Sequence, residues 1–399
     1  MNTWMDAPAD LQKRLEGMVE GDVIIVGGGI PGLSAALEFH ERGAKVILLE
    51  QEFAGAGANG RNAGYLAGSI QLEYDLLDRR VGFVEAARVV GIYDKGVAYV
   101  EDQLRRYGID CGYSAGGMMR GSFRPSEEPL LAKDAYAGIA FGARVLLLDQ
   151  DSLRALQGPA FVSAICTPDG GTLDPGMYVA GLRRAVLEAG IKLYEGTPML
   201  SFEDGGRVTV KTPLGKARAP TLVFATNAYS PRLGMLPAGM ATLRATAVEV
   251  GPLSEDQLAT LDLPRRLGVL APRWAMESFR ITPRNTLVAT AKRLNDAYGL
   301  PIPSTPSHAD LSEIVGRLYD RFPALRGAPV VSRWSGYASL ANTTLPMITV
   351  SGNVVSTSVC CGHGIGLQSL TGEMLADQVD GSGAEVAAVD VEDRARRVA

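Results

Sequence analysis

The stretch DVIIVGGGIPGL, residues 22–33, constrains the fold more than any other part of the chain. Residues 22–26 form a short β-branched apolar run, as expected of a buried parallel strand. Gly27, Gly29 and Gly32 then fit G-x-G-x-x-G, with Ile30 between the last two. The pattern predicts a helix from about Pro31 to Arg42, with Leu33, Ala36, Leu37 and His40 on one face and Gly43 ending it. A second strand, 45–49, closes on Glu50. Each part has a physical role in holding a dinucleotide. Gly27 permits the tight turn, Gly29 removes a side chain that would block a pyrophosphate, and Gly32 lets helix and strand pack closely. The helix N-terminus offers free N–H groups and a positive dipole end to phosphates. Glu50, at a strand's carboxyl end, can accept both ribose hydroxyls.

An acid at position 50 disfavours a 2′-phosphate, which argues against NADP but does not separate NAD from FAD. Gln51 opens the next segment, QEFAGAGANGRNAGYLAG (51–68), which is glycine-dense and carries Arg61, Asn62, Ala63 and Gly64. Such a loop could wrap a pyrophosphate and run under a flavin ring. A flexible surface loop would have a similar composition.

The 399 residues are too many for one small core and suit one large or two interlocked domains. Of the 47 glycines, many sit in clusters rather than repeats, which suggests loops pressed against a ligand. The formal charge of −5 is mixed along the chain with no basic stripe, which argues against nucleic acid as a partner. No apolar run reaches the roughly 18 residues that span a bilayer. The polar, acidic start of the sequence lacks the apolar stretch of a signal peptide, so a cytoplasmic location away from membranes is expected. Cys111, Cys166, Cys360 and Cys361 have no CxxC spacing, and only His40, His308 and His363 could join them. The expectation is no metal site and reduced thiols.

These segments, taken with others in order, resemble the D-amino-acid oxidase-like (glycine oxidase/sarcosine oxidase) superfamily of FAD enzymes. Residues 23–50 resemble its opening unit, and GANGRNAG resembles the GASGRNGG loop of a γ-glutamylputrescine oxidase-like branch, with Asn59 for Ser and Ala63 for Gly. GTLDPGMYVAGLRRAVLEAGIKLYEGTPM (171–199) resembles a Pro-initiated helix and its following strand. TLVFATNAYSPRL (221–233), with Thr226, is similar to the branch's strand ending in ATNAY. RWSGYASLANTTLPMI (333–348) and CCGHGIGLQSLTGEMLAD (360–377) resemble the closing flavin-site segments.

The resemblance implies an α/β fold, α+β overall: a Rossmann-like FAD domain in discontinuous segments and a substrate domain on a mostly antiparallel sheet. The element pattern assigns 1–75, 160–232 and 333–399 to the FAD domain, and 76–159 and 233–332 to the substrate domain. Strands are expected at 245–250 and 286–291, and the charged last stretch, 380–399, reads as a surface tail.

FAD held without a covalent link is the implied cofactor. Gly362, His363, Gly364, Ile365 and Gly366 run into a helix predicted over 367–378, whose N-terminal N–H groups could face the flavin. A Gly-rich turn before a closing helix also occurs in many α/β proteins. His363 could lean on the ring or brace the loop. On the substrate side the resemblance points to Arg280 as a carboxylate clamp, since a guanidinium binds a carboxylate bidentately. Trp334 and Tyr337 could wall in an amine, with Cys361 nearby. No catalytic acid or base is assigned, because enzymes of this kind transfer hydride directly to flavin.

Three departures bear on the substrate. Residues 335–346 contain no cysteine of the kind that links flavin covalently in sarcosine oxidases; a threonine stands where relatives have Asp in TPD-x-x-P; and Cys360-Cys361 precedes GHG. The expected activity is oxidation of a primary or secondary amine or amino acid to an imine. Oxygen is the expected acceptor, with hydrogen peroxide as product. The alternatives are a dehydrogenase using another acceptor, or a flavin-binding subunit without turnover of its own. Neither the amine nor the oligomeric state is readable from the sequence.

Overall fold

The computed structural model describes residues 4–155, 161–234, 240–261, 263–265, 267–271, 277–294, 306–341, 344–358 and 360–381. Most of the stretch read as a tail, together with Asn342 and Thr343 of the altered TPD segment, lies outside these residues.

The apolar run after Asp22 forms the strand Val23–Val26, buried at every position. It lies between Thr221–Phe224 and Val46–Leu49, both parallel to it, in a six-stranded sheet. Lys192–Tyr194 extends the sheet on one side; Val354–Ser358 and the antiparallel Met347–Ser351 extend it on the other. The first helix, Ile30–Glu41, starts one residue before the predicted position, and the closing helix runs Gly366–Asp380. These two helices cross closely because a Cβ on Gly372 would lie 2.6 Å from the Ala35 nitrogen. The apolar sides of the sheet and its helices make one continuous core, including Ile25, Leu33, Leu48, Val179 and Val223.

A second sheet has eight strands in the order Val330–Ala341, Met240–Val250, Leu287–Leu294, Glu277–Ile281, Gly268–Leu270, Met118–Ser122, Ser163–Thr167, Leu146–Leu148. Its pairings are antiparallel except that of Gly268–Leu270 with Met118–Ser122. It therefore has the mostly antiparallel character expected of a substrate domain. Ser163–Thr167 and most of Val330–Ala341, from residue 333 on, come from segments expected on the FAD side. A smaller four-stranded sheet pairs Gly17–Glu20 with Gly215–Ala219, followed by Val208–Lys211 and Ser201–Glu203.

The 24-residue helix Phe83–Arg106 buries Val89, Val90, Tyr93, Val97 and Val100, one face at helical spacing. It crosses the start of the closing helix at Gly96, where a Cβ would meet the Gly366 carbonyl carbon at 3.0 Å. Among the described residues no helix is long and apolar enough to cross a membrane.

Candidate functional site

Between Val26 and Ile30 the chain turns through Gly27, whose φ of 111° favours glycine. A Cβ on Gly32 would lie 1.8 Å from the Gly27 carbonyl oxygen, so only glycine lets the helix rise this close to the strand. Glu50 ends the neighbouring strand, and its carboxylate accepts the Gly28 N–H at 2.7 Å and the Glu52 N–H at 2.9 Å. Burial raises the Glu50 pKa, and these backbone donors pull against that rise. A cavity of about 400 Å³ opens here, lined by Gly27, Gly29, Glu50, Gln51, Arg61 and Thr226 among others. Bare glycine backbone, with Glu50 as acceptor and the Arg61 and Arg232 guanidiniums nearby, suits a diphosphate with a ribose beside it.

The glycine-rich loop after Glu50 is not a loose surface segment. Ala54 N–H donates to Glu195 at 2.8 Å, and Glu195 is itself held by Arg183 at 2.8 Å. Asn59 Oδ1 accepts the Ile30 N–H at 3.1 Å, and its Nδ2 donates to the Gly364 carbonyl at 3.4 Å. Asn62 Oδ1 accepts the Gly64 N–H at 2.8 Å, while its Nδ2 donates to the Asn59 carbonyl at 2.7 Å. Each asparagine replaces backbone bonds that an irregular loop cannot make.

Two residues expected to meet substrate are used in this bracing instead. Trp334 is buried and its Nε1 donates to the Arg61 carbonyl at 2.7 Å, with its ring edge-on to Trp4. Arg280 is also buried, and its Nη1 donates to the carbonyls of Gly64 at 2.8 Å and Leu173 at 2.7 Å. Burial without an acid in hydrogen-bond contact lowers the Arg280 pKa, though the group stays charged. Neither side chain lines the second cavity described next. Where the resemblance implied a substrate wall for Trp334 and a carboxylate clamp for Arg280, the structure has both side chains hold the loop from the large sheet.

The second cavity, about 120 Å³, adjoins the first and shares Ala58, Asn59, Arg61 and Asn227 with it. Asn62, Ala63, Gly362, Gly364 and Ile365 line one side; Tyr65, Leu270, Ser278, Thr290 and Tyr337 line the other. Tyr337, with Cys360, is among the residues that line it. The closing helix starts beside this cavity, and a helix N-terminus leaves N–H groups without intrahelical acceptors.

Gly32, Gly64, His363, Gly366 and Cys361 do not line either cavity. His363 Nδ1 lies 2.9 Å from the Cys361 carbonyl, an acceptor, so Nδ1 carries the proton; the ring meets Tyr93 edge-on at 4.3 Å. It braces the turn. Cys361 has a φ of 49°, and burial raises its thiol to about 12. Its neighbour Cys360 faces the cavity instead.

Four residues near the cavities had no assigned role in the sequence reading. Asn59 and Asn227 were visible as parts of motifs, and Asn227, at φ 45°, accepts a hydrogen bond from Ser339 Oγ at 2.5 Å. Glu195 and Tyr65 act across long sequence separations, and no local pattern marks them.

A nucleotide cradle on a parallel sheet, opening onto a small apolar cavity on a second, mostly antiparallel sheet, defines a flavin-dependent oxidoreductase. Residues 22–378 match the DAO family, FAD-dependent oxidoreductases, and the chain belongs to that family. It is 27% identical over 371 residues to γ-glutamylputrescine oxidoreductase of Escherichia coli K12, covering 90% of this chain and 84% of that one. The fold matches that of glycine oxidase from Geobacillus kaustophilus, with a TM-score of 0.75, 21% identity and coverage of 95% and 98% of the two chains. L-proline dehydrogenase from P. horikoshii has a TM-score of 0.75 at 19% identity, with coverage of 94% and 96%. The protein is an FAD-dependent oxidoreductase.

Proposed function

We propose that the protein oxidises a primary or secondary amine, or an amino acid, at its CH–NH bond to an imine, with oxygen taking the electrons and leaving as hydrogen peroxide. The observation that carries this reading is the joining of the two cavities through Ala58, Asn59, Arg61 and Asn227. The larger suits the nucleotide and the smaller suits a small molecule beside the ring. FAD supplies the hydride acceptor.

The chain's own residues position and polarise. Gly27, Gly29, Ile30 and Gly32 form the turn and helix start that would face the diphosphate, and Glu50 would accept from ribose. Arg61, Asn62 and Ala63, with Gly64 behind them, would support the flavin, and Thr226 would border the nucleotide. The turn Gly362–Gly366 would offer backbone N–H groups to the flavin, where fixed donors are most effective. Tyr337 and the apolar wall exclude water from the reacting carbon. Retention of FAD is non-covalent, since no cysteine occurs in 335–346. The four unpaired cysteines suit a reducing cytoplasm.

The test is anaerobic mixing of purified holoenzyme with polyamines, γ-glutamylated amines, N-methyl amino acids and D-amino acids, followed by admission of air. At least one amine should bleach the flavin, and air should restore the colour with one peroxide formed per imine. No bleaching by any amine would sink the reading; bleaching without peroxide would replace oxygen by another acceptor.

A further inference from the structure

Tyr65 occupies a position that the loop architecture does not require. It lies on the two-residue strand Tyr65–Leu66, which pairs with Gly171–Thr172, and it lines the smaller cavity. The large sheet makes room for its ring at Gly268, where a Cβ would lie 2.6 Å from Tyr65 Cδ1. Its hydroxyl is buried and makes no hydrogen bond among the described residues. A buried phenol without a partner is unfavourable, and it persists where something else completes the site.

The neighbouring groups indicate what completes it. Burial pushes the Tyr65 pKa up to about 12, opposed first by a hydrogen-bonding approach to the Ser278 hydroxyl, too poorly formed to count as a hydrogen bond, and then by the Arg280 guanidinium. Tyr65 is therefore an O–H donor at any physiological pH. Ser278 and Thr290 face each other across adjacent strands and share a 2.5 Å hydrogen bond, which engages one of their two hydroxyl protons. Both line the cavity with Tyr65. No carboxylate lines it among the described residues, and its only charged lining residue is Arg61, on the flavin-loop side. Arg280 is anchored by two carbonyls near Tyr65 and adds positive potential without reaching the cavity itself. The lining thus sets a buried phenol donor beside a positive field, with the Arg61 guanidinium on the flavin-loop side, which suits the oxygen of a ligand.

We propose that Tyr65 recognises the substrate: its hydroxyl donates to an acceptor oxygen, of a carboxylate or an amide, carried on the amine's carbon skeleton. This rests on the amine-oxidising reading above and names the feature by which the same cavity selects its amine. Tyr65 takes no proton and supplies none; it holds the molecule, and Arg280 acts through it as a positioning residue.

The test uses FAD-loaded wild-type and Tyr65→Phe protein. Acetate, acetamide and tert-butylamine are titrated while the flavin absorption spectrum is followed. None of these can be oxidised at a CH–NH bond, so the readout is binding rather than turnover. Acetate should bind Tyr65→Phe at least about tenfold more weakly if the natural group is a carboxylate, because the lost bond is charge-assisted. Acetamide should lose a few-fold, and more than acetate if the group is an amide. Binding of tert-butylamine should not change. Equal weakening of all three, no change in any, or failure of both oxygen probes to bind the wild type would overturn the proposal. If the probes behave as expected and yet no amine bleaches the flavin, the oxidase reading fails while the Tyr65 subsite stands.

Discussion

The side chains that shape this site mostly act on backbone. Trp334 offers one buried N–H to the Arg61 carbonyl, and the indole otherwise packs with Trp4, Ala247 and Val288. Replacing it with Phe keeps most of the apolar contact and removes the donor. The Arg61 carbonyl then loses that bond in a buried setting, which costs about 1–3 kcal/mol. Because Arg61 borders both cavities, the expected outcome of Trp334→Phe is weaker FAD binding, by about tenfold, with the ranking of amine substrates unchanged. FAD titration of the apoprotein and kcat/KM on a short amine panel check the two halves. Undiminished FAD affinity together with an altered substrate ranking would restore Trp334 to the substrate wall.

At the level of elements, glycine decides where helices cross. Gly372 sits in the closing helix against Ser34 and Ala35 of the first, where a Cβ would come within 2.6 Å of both backbone and side chain. Gly372→Leu should force the crossing apart and lower stability by about 1–3 kcal/mol, read as a shift in the urea midpoint. Gly91, exposed on the helix Phe83–Arg106 with nothing within 4 Å of a Cβ, is the control: Gly91→Ala should leave stability equal or raise it by up to about 1 kcal/mol. A midpoint for Gly372→Leu equal to that of the control would mean the crossing is looser than described.

The same scale separates what the sequence reveals from what it hides. Strand Val23–Val26, helix Ile30–Glu41 and strand Val46–Leu49 are legible because local pattern and turn chemistry coincide there. Strand Gly17–Glu20 is not: it is mostly exposed, has no apolar alternation, and exists because Gly215–Ala219 pairs with it from two hundred residues away. Ser163–Thr167 and Val330–Ala341 joined the large sheet for a related reason, since strand pattern does not state which sheet receives the strand. Arg280 shows the limit at single-residue scale. The resemblance implied a carboxylate clamp, and no local pattern shows that its guanidinium donates to the carbonyls of Gly64 and Leu173, distant in sequence.

Across the whole molecule, the large sheet and the parallel sheet are joined through the flavin loop rather than through a linker. Trp334 and Arg280 reach from strands of the large sheet to the carbonyls of Arg61 and Gly64, while Asn59 ties the same loop to the first helix and to the turn before the closing helix. A ligand held in the two cavities therefore stabilises both sheets at once. Binding to the native state alone contributes RT ln(1 + [L]/Kd), about 2.7 kcal/mol when free FAD is a hundredfold above its Kd. Thermal unfolding followed by flavin fluorescence, which reports release, and by far-UV circular dichroism, which reports both sheets, should give one shared midpoint. That midpoint should rise with added FAD. In apoprotein the same dichroism transition should move to lower temperature without splitting. Flavin release well below the dichroism transition, or a two-step dichroism curve, would show that the loop does not couple the two sheets and that each melts as a separate unit.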